Sequence, residues 1–303
     1  TIGLRRGFKV ERDMDETYPL LDWHPNGNIL AYVEERHGAV NFNFYDLETK
    51  KTNTLEVPKI SKITSFSYNH TGSQFVFTGI QKGNIDLFLY TIMGNGYKKL
   101  TNDIFDEKNA SFIENSSKII FASNRKNDSL FLETEIKPFD NKYDIYIFDL
   151  NKKFQRTLKR VTNTPEINED KPFEKSRYEY AYISDEGGTV NRHIAVFDST
   201  ISAVDTVISY RYFSKSSILT NYKRSILDFD YSPVTNQVGL LMLHEGEYKL
   251  FKGEIGLDKM LDFEGNNSNY EEQTQDKKES TVEVLEVTPI IEDQNVIKTK
   301  NYK

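Results

Sequence analysis

The stretch Leu20 to Glu34, LLDWHPNGNILAYVE, returns at Phe66 to Gly79 as FSYNHTGSQFVFTG, and this pair decides the fold. Each copy has an aromatic residue near the end of one run, a short polar turn, and a second run in which apolar residues alternate. Trp23 falls on Tyr68 and Gly27 on Gly72, a spacing of 45 residues. A third copy, SFIENSSKIIFAS from Ser111, puts Phe112 on the aromatic position after a further 44 residues. KSRYEYAYIS, from Lys175 to Ser184, is the fourth copy, and DFDYSPVTNQVGLLML, from Asp228, is the last, with Tyr231 on the aromatic position. Self-similarity at a period of about 40 to 50 residues marks arrays whose units bury their apolar faces only against one another.

Each copy continues into a third strand-like run: FNFYDLET from Phe42, DLFLYTIMGN from Asp86, YDIYIFDLNK from Tyr143, HIAVFDST from His193 and YKLFKGEIG from Tyr248. A fourth run leads onward, as in YKKLTND from Tyr97 to Asp103 and LKRVTNT from Leu158 to Thr164. Four antiparallel strands per unit is the blade of a β-propeller. A β-sandwich also contains hairpins, but it does not explain the 44- to 45-residue recurrence. The fold class expected is therefore all-β, a propeller of four-stranded antiparallel blades near residues 18–56, 64–103, 108–164, 170–222 and 224–256. Composition agrees, since 18 Tyr and 20 Phe suit a pleated, half-buried surface. In Asn26-Gly27 and Thr71-Gly72 the glycine supplies the positive φ of a tight hairpin.

The fullest unit, KLTNDIFDEKNASFIENSSKIIFASNR from Lys99 to Arg125, resembles the TolB-like β-propeller repeat, with DETYPLLDWHPNGNILAYVEER from Asp15 to Arg36 close behind. The resemblance runs from about Asp13 to Glu254, and more narrowly the stretch is similar to propeller segments of large TolB-like cell-envelope proteins of Bacteroidota. The acidic turn residue of that motif is replaced by Asn26, Thr71, Asn115 and Thr235. The resemblance implies six blades in the complete ring, with residues 1–12 as a candidate closing outer strand. Residues 1–256 are then the propeller and 257–303 a polar linker or tail with a candidate strand at 280–291. It also implies a non-catalytic protein-protein interaction or scaffolding role, periplasmic and outer-membrane-associated, with envelope or outer-membrane complex components as partners. The alternative it leaves open is a substrate-gating propeller of a larger peptidase whose catalytic domain lies outside these residues. Blade motifs specify architecture, so function is argued from sites.

The formal charge of −7 gives no basic footprint for nucleic acid. No run approaches the roughly 18 apolar residues of a membrane-spanning helix, and the opening TIGLRRGFKV lacks the apolar core of a signal peptide and reads as an excerpt of a longer chain. The chain has no cysteine, which excludes disulfides and thiol catalysis without choosing a compartment. His24, His37, His70, His193 and His244 lie in separate segments without zinc-ligand spacing, and the Gly-x-Ser-x-Gly string of a nucleophile elbow is missing. Glu34-Glu35 and Asp13/Asp15 fit no calcium-loop template. The sequence therefore nominates no catalytic, cofactor-binding or metal-ligating residue and no cofactor. It nominates two long excursions, Lys126 to Lys142 and Ile201 to Phe213, as candidate binding loops. Trp23, Tyr68, Phe112 and Tyr231, recurring inside strands, are expected to pack between blades.

Overall fold

The computed structural model describes residues 19–36, 38–130, 141–204, 208–232, 235–254 and 284–286. They form two compact units, Thr1–Asn102 and Asp103–Lys303. In the first unit, β1 (Leu21–Trp23), β2 (Ile29–Arg36), β3 (Ala39–Asp46) and β4 (Thr52–Glu56) make one antiparallel meander. The next is made by β5 (Lys62–Tyr68), β6 (Gln74–Gln81), β7 (Asn84–Thr91) and β8 (Gly96–Lys99). The second unit begins with β9 (Glu107–Ile113), β10 (Lys118–Ser123), β11 (Asp144–Asp149) and β12 (Lys159–Arg160). Then come β13 (Glu169–Ser176), β14 (Glu179–Ser184), β15 (Asn191–Val204) and β16 (Ile208–Ile218), with β17 (Ile226–Ser232), β18 (Gln237–His244) and β19 (Glu247–Glu254) last. These five sheets are propeller blades in an all-β fold, and the one helical turn among the described residues is Glu186–Gly188.

The fourth strand is tied to the third by a device that recurs. Thr101, Thr162 and Thr220 each stand just beyond the fourth strand, and each hydroxyl accepts the N–H of a third-strand residue just past the end of the pairing with the fourth, Leu87 at 2.9 Å, Ile145 at 2.8 Å and Arg192 at 2.9 Å. The residue before each threonine donates its own N–H to the carbonyl of the same third-strand residue, at 2.8 Å in all three blades. The hydroxyl satisfies a buried N–H where the ladder runs out, and an unsatisfied one is costly. Blade one keeps the backbone bond, Val57 N–H to Val40 at 2.9 Å, but has Pro58 where the threonine stands.

In the first unit the two blades interlock through an aromatic cluster. The Phe75 ring centroid lies 4.2 Å from that of Phe42; Phe75 stacks on Tyr90 at 4.6 Å and Phe77 on Phe88 at 4.9 Å, the latter two within the range where aromatic pairs add to simple burial. In the second unit Ile120, Ala122, Ile145 and Ile147 of blade three pack against Tyr180, Tyr182, Ala195 and Phe197 of blade four. Val238, Leu240 and Met242 of blade five pack with Ile183 of blade four. Register shifts interrupt the first strand of blades two to five; in blades three and four they coincide with Asn109 and Lys171 at φ 49° and 50°, the extra residue of a β-bulge. Gly72 has φ 72°, which favours glycine, and a Cβ there would lie 1.9 Å from His24 Nε2, so any larger residue would also displace that ring.

Several expectations change against this frame. The blade-three counterpart of Tyr68 is Ile113, not Phe112: Ile113 pairs with Lys118 as Tyr68 pairs with Phe75, across a turn two residues shorter. Tyr68 and Ile113 are buried and Tyr231 packs on Phe173 at 4.6 Å, but Trp23 is 53% exposed. Asp22 faces the second blade, accepting the Tyr68 N–H at 2.8 Å, so Leu21 and Trp23 face away from it, whereas Tyr68, at the equivalent place in blade two, faces blade one and meets His24 at 5.2 Å. The excursion at 201–213 is a ribbon that prolongs β15 and β16 as far as the pair Val204 and Ile208. Within the candidate strand at 280–291, β20 (Val284–Glu286) pairs with Tyr210–Tyr212 of β16 on the edge of blade four. Residues 1–12, Asp13, Asp15, His37 and the 131–140 part of the other excursion lie outside the described residues.

The threonine device makes a direct prediction. Thr101→Val should lower unfolding free energy by about 1–3 kcal/mol, because it leaves the buried Leu87 N–H without its acceptor, whereas Thr101→Ser should lose much less. Chemical denaturation of the two variants, compared by midpoint at constant slope, checks it.

Candidate functional site: a charged cavity and a buried carboxyl

The polar side chains of the second unit collect where first strands begin, second strands end and third strands begin. In blade three the residue opening β9 is Glu107, and two residues past the end of β10 comes Arg125. Both are fully buried, and Arg125 Nη2 donates to Glu107 Oε1 at 2.5 Å and to Asp103 Oδ2 at 3.3 Å. Its Nε donates to Ser123 Oγ at 3.1 Å, and its guanidinium lies 5.3 Å from the Phe105 ring and 5.7 Å from that of Tyr146. The Tyr146 hydroxyl donates to the Arg125 carbonyl at 3.0 Å, and Arg160 lies 5.0 Å from the same ring. Arg160 in turn pairs with Asp128 at 2.8 Å and Asp144 at 3.3 Å, and donates to Asn163 Oδ1 at 2.6 Å. Burial raises the Asp144 carboxyl above its ordinary range, against the opposing pull of the Thr164 N–H and of Arg160.

These groups border a cavity of about 60 Å³ into which Arg125, Arg160, Lys126 and Lys142 bring positive charge and Asp144 negative. Lys126 is exposed, and Lys142 is half-exposed with Asp185 at 3.1 Å. A space of this size holds roughly two waters or the tip of one small polar group. Its walls set four cationic donors, the two arginines held in place by ion pairs behind them, beside the single Asp144 carboxyl, an arrangement suited to a carboxylate.

Blade four repeats the framework with different charges. Asp106 N–H donates to Asn124 Oδ1 at 2.9 Å in blade three, and Asn168 N–H donates to Asp185 Oδ1 at 2.7 Å in blade four, so the two blades align at these residues. Glu169 then corresponds to Glu107, His193 to Tyr146, and Glu186 to Arg125. Glu169 is 2% exposed, and its Oε2 has no hydrogen-bond partner. Burial raises its carboxyl to about 8; the Thr162 and Thr164 hydroxyls oppose this, and the charges of Asp144 and Glu186 add to it. His193 Nδ1 lies 3.5 Å from the half-exposed Glu186 carboxylate, yet burial outweighs that neighbour and lowers the imidazole to about 4. The corresponding position in blade five is Ile226, buried and apolar.

The histidines are not brought together. His24 packs edge-on against Tyr68 at 5.2 Å, His70 is exposed, and His244 sits beside Arg224. Glu34 is half-buried and Glu35 exposed near the end of β2. Among the described residues no three His, Asp or Glu side chains are grouped as metal ligands. Arg125, Arg160, Glu107 and Glu169 were not singled out in the sequence; aligning the copies position by position would have shown Glu107 with an arginine and Glu169 without one.

Two predictions rest on these charges. Arg125→Met strands buried Glu107 and Asp103 and should cost about 3–5 kcal/mol, much of it recovered in the Arg125→Met/Glu107→Leu pair, as a double-mutant unfolding cycle will show. Glu169 is protonated in the folded state up to about pH 8 but ionises near 4.5 when unfolded, so its contribution to stability falls as pH rises between those values, by about 1.4 kcal/mol per unit. His193, neutral down to about pH 4 when folded and near 6.5 when unfolded, contributes the opposite slope between those values. The two cancel from about 4.5 to 6.5 and leave the Glu169 decline above it. Glu169→Gln should therefore be more stable than the parent at pH 8 and close to it at pH 4.5, as measured by denaturant melts across that range.

No protein-family model matches the chain, and no curated protein matches it. Solved structures do. A protein assigned as TolB from Agrobacterium tumefaciens superposes with TM-score 0.56 at 10% identity, over 78% of this chain and 76% of that one. TolB from Acinetobacter baumannii gives 0.46 at 16% identity, over 76% of this chain and 53% of that one. The propeller domain of the Trilobed protease from Pyrococcus furiosus gives 0.44 at 13% identity, over 77% and 80%. The chain has the fold of a TolB-like β-propeller.

Proposed function

We propose that this propeller is a non-catalytic interaction or scaffolding module of a bacterial cell-envelope complex, periplasmic and associated with outer-membrane components, and that it holds a protein partner at the charged cavity of blade three. The observation that carries this reading is the convergence of Lys126, Lys142, Arg160 and Arg125 on one small cavity in a chain whose net charge is −7. Ion pairs with Asp103, Glu107, Asp128 and Asp144 fix the two arginines, so little side-chain freedom is lost when an acidic group docks. The accessible lysines add attraction at long range, which speeds encounter and selects an acidic partner surface. The resemblance of the blade repeats supports the envelope setting.

The test is capture from envelope extracts, followed by titration of the recovered protein. Saturable binding without turnover is expected, and Lys126→Glu/Lys142→Glu should weaken it at least tenfold, with a steep dependence on salt. Unchanged affinity in that double variant, or hydrolysis of peptides by the isolated chain, overturns the reading.

A further inference from the structure

The aligned charge positions of the second unit are filled in three ways. Blade three has Glu107 with Arg125, blade five has the apolar Ile226, and blade four keeps the carboxyl of Glu169 but has Glu186 in place of the arginine. The first two are self-sufficient, because a buried carboxylate is neutralised or no charge is buried at all. The third is not. Glu169 Oε2 is buried without a hydrogen-bond partner, and the charged neighbours acting on it are the carboxylates of Asp144 on β11 and Glu186 after β14. Tyr182 of β14 interacts with it, His193 of β15 lies 5.7 Å from the Tyr182 ring, and the Thr162 and Thr164 hydroxyls are the hydrogen-bonding groups that reach the carboxyl. Glu186 is half exposed, so the residue at the position from which Arg125 reaches inward in blade three lies at the surface in blade four.

We propose that the place taken by the Arg125 guanidinium in blade three is, in blade four, an acceptor site for a guanidinium supplied from outside the chain by an arginine side chain of a bound protein. Blade three gives the chemistry of the contact: a planar N–H donor against a buried glutamate, at the end of the same pair of strands. Glu186 at the entrance attracts the incoming cation and repels an acidic one. Engagement expels the Glu169 proton, which makes binding tighter as pH rises towards 8. The proposal rests on the protein-binding reading and adds a second, oppositely charged contact to the cationic cavity.

The probe is Nα-acetyl-arginine amide, with Nα-acetyl-citrulline amide as its neutral isostere, titrated calorimetrically into the whole chain in buffers of different ionisation enthalpy. Binding of the arginine analogue alone is expected, with release of about nine-tenths of a proton at pH 7, since Glu169 titrates about one unit higher. Affinity should rise about tenfold from pH 6 to pH 7 and level off above 8. Glu169→Gln should abolish binding, and so should Glu186→Arg, which supplies the guanidinium in cis; the latter should also raise Tm at pH 8, showing that it is folded. Absence of binding to the parent, equal binding to the citrulline analogue, or undiminished binding to either variant overturns the site. If these fail while capture through Lys126 and Lys142 persists, only the guanidinium site is lost; if capture fails while the analogue binds, only the partner reading is.

Discussion

The hydroxyl of a threonine in blades two, three and four, accepting an N–H of the third strand where its pairing with the fourth ends, is the contact on which the repeating framework turns. A four-stranded meander must release its last strand at one end so that the chain can start the next sheet, and at that point the regular ladder ends. Thr101, Thr162 and Thr220 close the gap with the same bond at 2.9, 2.8 and 2.9 Å. Where blade one has Pro58, the departing chain instead depends on the Val57 backbone bond. The glutamate that opens β13 inherits its position from the hand-over at Thr162.

Fixing those positions also fixes which charges must be buried. Once Glu107 is placed at 0% exposure, it needs a cation in the sheet, and Arg125 from the neighbouring strand supplies one while packing its flat face near Phe105 and Tyr146. The alternative used in blade five is to remove the charge with Ile226. Both are consistent with the cost of an unpaired buried ion, which exceeds that of an apolar replacement. Blade four departs from both, and the departure lies beside the cavity, because Thr164 contacts Asp144 and also borders that space.

Much of the framework was legible because strand alternation and turn chemistry repeat. The 45-residue spacing of Trp23 and Tyr68 corresponds to equivalent places in the two sheets, since each pairs across the same hairpin with Leu30 and Phe75. The shorter turn of blade three hides the same correspondence: with Glu114, Asn115 and Ser116 all at positive φ, two residues drop out, and the aromatic Phe112 stands one residue before the position that Ile113 holds. An aromatic residue marks the position but not what covers it: Tyr68 lies against His24 of blade one, whereas Trp23, on the same face of the first blade, is exposed. The excursion at 201–213 looked like a loop because its length broke the period, although its Ile, Val, Tyr and Phe content is that of a strand.

The site was less legible for a different physical reason. Motif reading looks for side chains of one kind gathered at short spacing, whereas Arg125 reaches Asp103 and Glu107 across 22 and 18 residues, and Glu169 is distinguished by the identity of residue 186. Such information lies in the difference between copies. A repeat protein contains its own control experiment, because every blade solves the same packing problem at the same backbone position. Where one copy keeps a costly group and drops its compensation, selection for the framework alone does not account for it. In blade three the carboxyl and the guanidinium satisfy each other and contribute rigidity; in blade four the carboxyl holds a proton, and its interaction with a cation is left for another molecule to provide.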